Sequence, residues 1–215
     1  MRQLYWNTVS PILKEVLLDL MNEPFFNPFR LVGGTALSLQ IGHRMSVDID
    51  MFTDASYGSI DFDAIKSHLE NKYNFCNYNK TTVNVAFGTY VEVGHSEKDF
   101  VKIDFFYTHE FIFEPIILEN IRMATQNEII AMKMDVVLRG GRKKDFWDLH
   151  YFLDIISIDE MISLFNQRYP YNDELEQIRN QITNFDNAES DFDPNCLLSK
   201  NWDEIKLDFF EVLDK

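Results

Sequence analysis

The residues of this chain best suited to chemistry lie between Leu31 and Thr53, in the run Leu-Val-Gly-Gly-Thr-Ala-Leu-Ser-Leu-Gln-Ile-Gly-His-Arg-Met-Ser-Val-Asp-Ile-Asp-Met-Phe-Thr. Asp48 and Asp50 sit in an apolar stretch, Val47 to Phe52, that reads as a strand. Side chains alternate faces along a strand, so the two carboxylates share one face while Val47, Ile49 and Met51 share the other. Neighbouring carboxylates repel unless a cation lies between them. Oxygen donors suit Mg²⁺, which binds through few carboxylates and often through substrate phosphates. Upstream, Gly33 and Gly34 follow a strand end, Phe29 to Val32, and precede a short helix over Thr35 to Gln40. Glycine lets backbone approach a ligand closely. The first turn of a helix offers free N–H groups and partial positive charge, a ready site for phosphate. A phosphate cradle beside a carboxylate pair implies a Mg-bound nucleoside triphosphate. Taken singly, Gly33-Gly34 also fits a plain turn, and Asp-Ile-Asp the solvent face of an edge strand.

The elements that must hold these groups follow from pattern. Residues 9–22 read as a helix with Ser10 as N-cap, Pro11 in the first position, and Ile12, Val16, Leu17 and Leu20 on the face toward a sheet. Asp61 to Tyr73 reads as a second helix with Ile65 and Leu69 inward. Strand-like segments follow at about 74–79, 81–87, 89–94 and 100–107. In the last of these Asp104 stands among apolar residues, sharing a face with Lys102 and Phe106. A buried carboxylate needs a partner. Asp104 is therefore either a charge on the open face of an edge strand, or a third carboxylate reaching toward Asp48 and Asp50.

From about residue 115 strand signals stop and helical ones take over. Thr125 to Leu138 reads as a helix with Thr125 as N-cap, Glu128 closing a capping box, and Ile129, Met132, Val136 and Val137 as its apolar face. The cluster Arg139-Gly-Gly-Arg-Lys-Lys144 either answers the helix dipole or binds triphosphate or RNA backbone. Lys144 to Ile156 reads as the next helix, with Asp145 and Asp148 on one face and Phe146, Leu149 and Phe152 or Leu153 toward the core. Further helices are expected at 158–169, 173–185 and 202–213, with a loop at 186–195. The expected division is a catalytic domain over 1–118 and a helical domain over 119–215.

At 215 residues the chain can bury a sizeable core, and 19 Phe suggest a well-filled one. A net charge of −15 argues against a general nucleic-acid coat, since phosphate charge dominates such binding. It leaves room for an enzyme that touches RNA through a local basic patch. Cys76 and Cys196 are far apart and lack metal-ligand spacing, so a reduced, cytoplasmic protein is expected. The N-terminus lacks a signal-peptide core and no apolar run approaches membrane-spanning length, so no membrane association is expected.

Gly33-Gly34-Thr35-Ala36-Leu37, followed by His43-Arg44-x-Ser46-x-Asp48-Ile49-Asp50-x-Phe52-Thr53, resembles the signature of the AbiEii/AbiGii toxin family of nucleotidyltransferases. That family is a branch of the DNA polymerase β-like nucleotidyltransferase superfamily. A second block, Lys133, then Arg139 and Lys144-Asp145-x-x-Asp148-Leu149, is similar to the same family's pattern. The resemblance implies an α+β fold: a polymerase β-like mixed sheet with helices, followed by a C-terminal helical bundle. It implies transfer of a nucleoside monophosphate from a triphosphate to an acceptor hydroxyl, with a tRNA end as a candidate acceptor and two Mg²⁺ as cofactors. On this sequence it assigns Asp48, Asp50 and Asp104 to the metals. Gly33, Gly34 and Lys133 go to the phosphates, with Thr35, Arg44 and Ser46 beside them. Asp145 and Asp148 serve as base, or orient Lys133 and the incoming hydroxyl. Where the superfamily usually has Gly-Ser, this chain has Gly33-Gly34. The family is usually the toxin half of a toxin–antitoxin pair linked to phage defence, so a cognate antitoxin protein is an expected partner. Two other readings remain: transfer to a small-molecule or protein hydroxyl, and a nucleotide- or partner-binding module without catalysis.

Overall fold

The computed structural model describes residues 3–78, 87–170 and 175–213. The chain begins with α1 (Pro11–Asn22), capped by the Ser10 hydroxyl, which accepts the Leu13 N–H at 3.2 Å. There follow β1 (Arg30–Val32), α2 (Gly33–Ile41), β2 (Asp48–Thr53), α3 (Phe62–Lys72), β3 (Phe75–Tyr78), β4 (Gly88–Ser96) and β5 (Asp99–Tyr107). Then come β6 (Ile116–Leu118), β7 (Ile121–Met123), α4 (Gln126–Leu138), α5 (Lys143–His150), α6 (Ile158–Arg168), α7 (Leu175–Gln181) and α8 (Trp202–Leu213).

Among the described residues seven strands form one mixed sheet in the order β3-β4-β5-β2-β1-β7-β6. β2 is central, antiparallel to β1 and parallel to β5. The edge-strand readings of Asp48, Asp50 and Asp104 are therefore excluded, because β2 and β5 are flanked on both sides. Alternation does the sorting along β2: Ile49, Met51 and Thr53 are buried, while Asp48, Asp50 and Phe52 keep partial exposure on the other face. Val47 lies just outside the strand and is exposed, so it does not join that inner face. On the covered side, α1 buries Val16, Leu17 and Leu20, and Phe105 packs between Phe26 and Phe29 at 5.5 and 5.3 Å.

The sheet also takes in residues beyond 115, where strand signals were expected to stop. β6 and β7 form a hairpin, and β7 lies parallel to β1, with Leu31 opposite Met123. The division expected at 118/119 falls inside that hairpin, and the core is one continuous cluster drawn from both halves. The helical half centres on Phe146, whose ring meets Phe185, Trp202 and Phe209 at 4.9, 5.8 and 5.8 Å.

Three local expectations change. The expected helix over Lys144–Ile156 spans Lys143–His150 and then continues as turns. Glu128 does not close a capping box. Its buried carboxylate accepts the Ile112 and Phe113 N–H groups and pairs with buried Arg168, a full charge that outcompetes a lone N–H. Along α4, Met132 and Val136 are partly or fully exposed, whereas Ile130 and Met134 are buried beside Ile129 and Val137. The strand expected at 81–87 lies outside the described residues except for Phe87, as does the start of the helix expected at 173–185, whose described part ends at Gln181.

Candidate active site

β2 and β5 run side by side in register, so Asp50 stands opposite Asp104 and Asp48 opposite Lys102. The strand periodicity thus places three carboxylates on one open sheet face. Asp104 is held by the Lys102 ammonium at 2.6 Å. Asp48 is approached by Lys144 at 4.0 Å. Among the described residues Asp50 has no such close cation. Burial first, then the charge of Asp104, pushes its carboxyl up to about 6, against the pull of Lys133.

β1 delivers Gly33 over this face. Gly33 is the first residue of α2, one position earlier than a turn before the helix would require, and it has φ +67°. A Cβ built on Gly33 would lie 2.3 Å from Asp50 Oδ2, and one on Gly34 would lie 2.3 Å from Arg44 Nη2. The two glycines therefore make room for a carboxylate and a guanidinium as well as for any phosphate at the helix terminus.

Beneath α2 lies a buried charge network. Asp148 Oδ1 accepts from Arg44 Nε at 2.6 Å and lies 2.7 Å from His43 Nε2, while Oδ2 accepts from Arg44 Nη2 at 2.8 Å. Lys133 Nζ bridges Asp145 Oδ1 and Asp148 Oδ2, both at 2.6 Å. Asp145 Oδ2 also accepts the Arg142 N–H at 3.0 Å, fixing the start of α5. Burial alone would raise the Asp148 carboxyl, but Arg44, Lys133 and His43 hold it well below its ordinary range. Burial alone would lower the Lys133 ammonium, but Asp148 and Asp145 raise it.

A cavity of about 1270 Å³ lies between the sheet face and α4–α5. Of the residues expected at the site, Gly33, Gly34, Asp48, Asp50, Asp104, Lys133 and Asp145 line it. Thr35, Arg44, Ser46 and Asp148 do not. The Thr35 hydroxyl is buried, donates to the Asp48 carbonyl and lies 2.8 Å from Ser46 Oγ, so these two side chains clasp α2 to β2 and do not face the cavity. Arg44 and Asp148 sit behind the lining, in position to orient Lys133. In the basic cluster, Lys143 pairs with Asp193 away from the cavity, whereas Arg139, which pairs with Asp135, borders the cavity together with Arg142 and Lys144. His43, Arg142 and Lys144 had no individual role in the sequence reading, although His43 adjoins Arg44, Lys144 adjoins Asp145, and Arg142 belongs to the basic cluster.

The carboxylates suit a hard divalent cation: all donors are oxygen, and the crowding felt by Asp50 is the kind a cation relieves. Among the described residues no three such side chains converge into a complete metal site. Mg²⁺ commonly takes part of its coordination from phosphate and water, so its sites need not be closed by side chains alone.

Residues 15–215 match the family described as nucleotidyl transferase AbiEii toxin, type IV TA system. The chain belongs to the AbiEii family. Among solved structures, this AbiEii-family chain resembles JHP933 from Helicobacter pylori, with 18% identity, a TM-score of 0.56, and 93% of this chain and 88% of that one covered. It also resembles MenT4, the nucleotidyltransferase toxin Rv2826c of Mycobacterium tuberculosis H37Rv, with 15% identity, a TM-score of 0.56, and coverage of 93% and 80%. At such identities the likeness establishes the fold, the mixed sheet of polymerase β-like nucleotidyltransferases. An uncharacterized protein of Aquifex aeolicus is 27% identical over 147 residues, and the match spans 65% of each chain. No described helix is long and apolar enough to cross a membrane.

Proposed function

We propose that the protein is a Mg²⁺-dependent nucleotidyltransferase that moves a nucleoside monophosphate from a triphosphate to an acceptor hydroxyl at an RNA end, and that it acts as the toxin of a pair with a cognate antitoxin. The observation that carries this reading is the register of Asp50 against Asp104 directly beside Gly33 at the α2 N-terminus. One open face thereby joins a carboxylate set to an anion-binding helix end.

In this reading the first turn of α2, with Lys133, Arg142 and Lys144, receives the triphosphate. Asp145 and Asp148 hold the Lys133 ammonium aimed at it. Asp48, Asp50 and Asp104 would hold Mg²⁺, which when bound stabilises charge on the attacking and leaving oxygens. The acceptor oxygen attacks the α-phosphorus, its P–O bond forms as the bond to pyrophosphate breaks, and the hydroxyl proton passes to a carboxylate or water. Most of the acceleration comes from positioning and fixed charge. The toxin role rests on family membership, and the division into a catalytic sheet and a helical half belongs to the same proposal.

The test is incubation with each α-labelled triphosphate, Mg²⁺ and total cellular RNA, beside Asp48→Ala. Label in an RNA band that vanishes in the variant is expected. Label in a protein or small molecule would replace the acceptor, and a fully active Asp48→Ala would refute the site.

A further inference from the structure

The open face that carries the carboxylates changes character within two residues. Phe52 follows Asp50 on the same side of β2, and Phe106 follows Asp104 on β5; they stand opposite each other with ring centroids 6.0 Å apart. Beyond them three more rings gather. Tyr57 lies 5.8 Å from Phe87 and 5.4 Å from Tyr107. Phe52, Tyr57, Phe87 and Tyr107 all line the same cavity as Asp48, Asp50 and Asp104. Tyr57 and Phe87 are 64% and 62% exposed, an unusual cost for large rings in a chain with a well-filled core. The cluster is also anchored. The Tyr107 hydroxyl accepts the Ile60 N–H at 2.7 Å, and the Tyr107 N–H donates to the Phe87 carbonyl at 2.7 Å.

We infer that this aromatic shelf stacks an unpaired nucleobase of the acceptor, adjacent to the hydroxyl that is attacked. The inference rests on the nucleotidyl-transfer reading and adds the acceptor's recognition to it. Three observations choose the acceptor over the triphosphate. The first is placement. Gly33 leaves β1 on one side of β2, whereas Phe87 immediately precedes β4 and Tyr107 ends β5 on the other. In-line displacement requires attacking and leaving oxygens on opposite sides of phosphorus. With the triphosphate tail held at the α2 terminus, the nucleophile enters from the β5 side. The second is charge. With a net charge of −15, the chain cannot rely on general attraction for an RNA backbone, and stacking is a recognition mode that needs none. The third is room. A cavity of about 1270 Å³ exceeds the roughly 300–1,000 Å³ usual for one small ligand.

The experiment is direct binding of a short fluorescent single-stranded RNA, beside binding of a nucleoside triphosphate, to the full chain and to Tyr57→Ala/Phe87→Ala. Both side chains are exposed, so the fold tolerates their truncation; Tyr57→Trp/Phe87→Trp provides the conservative control. The expected result is RNA affinity lowered about 10-fold or more in the alanine variant, restored in the tryptophan variant, with triphosphate affinity unchanged. Unchanged RNA affinity, absent RNA binding in the parent chain, or a loss confined to the triphosphate would each overturn the inference. Because the readout is binding, a chain that stacks RNA yet transfers no label would refute the proposed reaction and leave the shelf standing.

Discussion

The Asp148 carboxylate, fully withdrawn from solvent, grips the Arg44 guanidinium with both oxygens, at 2.6 Å to Nε and 2.8 Å to Nη2. Arg44 in turn fills the space beneath Gly34, and Asp148 shares its second oxygen with Lys133. A contact between α5 and the segment before β2 therefore sets both the helix end that faces the cavity and the ammonium that borders it.

Removing that carboxylate leaves two buried cations without their shared partner. Asp148→Ala should lower stability by about 3–5 kcal/mol, the usual cost of breaking a buried ion pair. Asp145→Asn should cost less, about 1–2 kcal/mol, because Lys133 keeps Asp148 and the Arg142 N–H keeps an acceptor. Urea unfolding of the two variants, read side by side, checks the order.

The glycines separate two effects that a sequence cannot. Gly33→Ala puts a Cβ against Asp50 in a left-handed backbone position, costing about 1–2 kcal/mol. Because it displaces a proposed metal ligand, transfer should fall about 10–100-fold with the fold retained. Gly34→Ala instead meets Arg44, which Asp148 holds in place, so its main effect should be a stability loss of about 1–3 kcal/mol. Denaturation midpoints and transfer rates measured on both variants distinguish the two outcomes.

Much of this arrangement was legible because it follows from period and caps. Ser10-Pro11 marks the start of α1, and α8 occupies Trp202–Leu213 as its pattern indicates. The shared face of Asp48 and Asp50 follows from strand geometry alone. The β6–β7 hairpin was not legible: its strands have three residues each, and its turn uses Glu119 and Asn120 at positive φ, without a glycine to signal it. The burial of Thr35, Ser46 and Asp148 was hidden for another reason. Asp145 and Asp148 share a helix face, and only tertiary packing decides that the first borders the cavity while the second lies behind it.

His43 should make stability depend on pH. Burial lowers its pKa below 6.5, and Arg44 and Lys133 add to that, against the opposing pull of Asp148. The unfolded chain then takes up the proton first, so stability is retained above pH 6.5 and falls as pH drops through it. Asp50 acts with opposite sign, since its raised carboxyl favours the fold at lower pH. The measurement is therefore a signed difference: on going from pH 7.5 to 5.5 the melting temperature should fall less, or rise more, in His43→Gln than in the parent chain. Equal changes would mean that His43 is not the titrating group.

Of the cations proposed to receive the triphosphate, Lys133 should also hold the fold, whereas Arg142 and Lys144 at the rim should bind substrate alone. Lys133 has two carboxylates at 2.6 Å, so part of its charge is spent inside the fold, and Lys133→Met would cost stability as well as triphosphate binding by removing the shared cation of Asp145 and Asp148. Lys144 meets Asp48 only at 4.0 Å, and Arg142 is exposed at the cavity rim. Their charge is the part most available to a triphosphate. Arg142→Ala/Lys144→Ala should thus raise KM for the triphosphate about 10-fold or more, roughly 1.4 kcal/mol of binding. Its stability should stay within about 0.5 kcal/mol of the parent, as for substitutions outside packed networks. The loss should shrink at high salt, because exposed charges act through a screened field. If KM is unchanged while Lys133→Met abolishes triphosphate binding without loss of stability, the buried ammonium, and not the rim, would be the group that holds the phosphates.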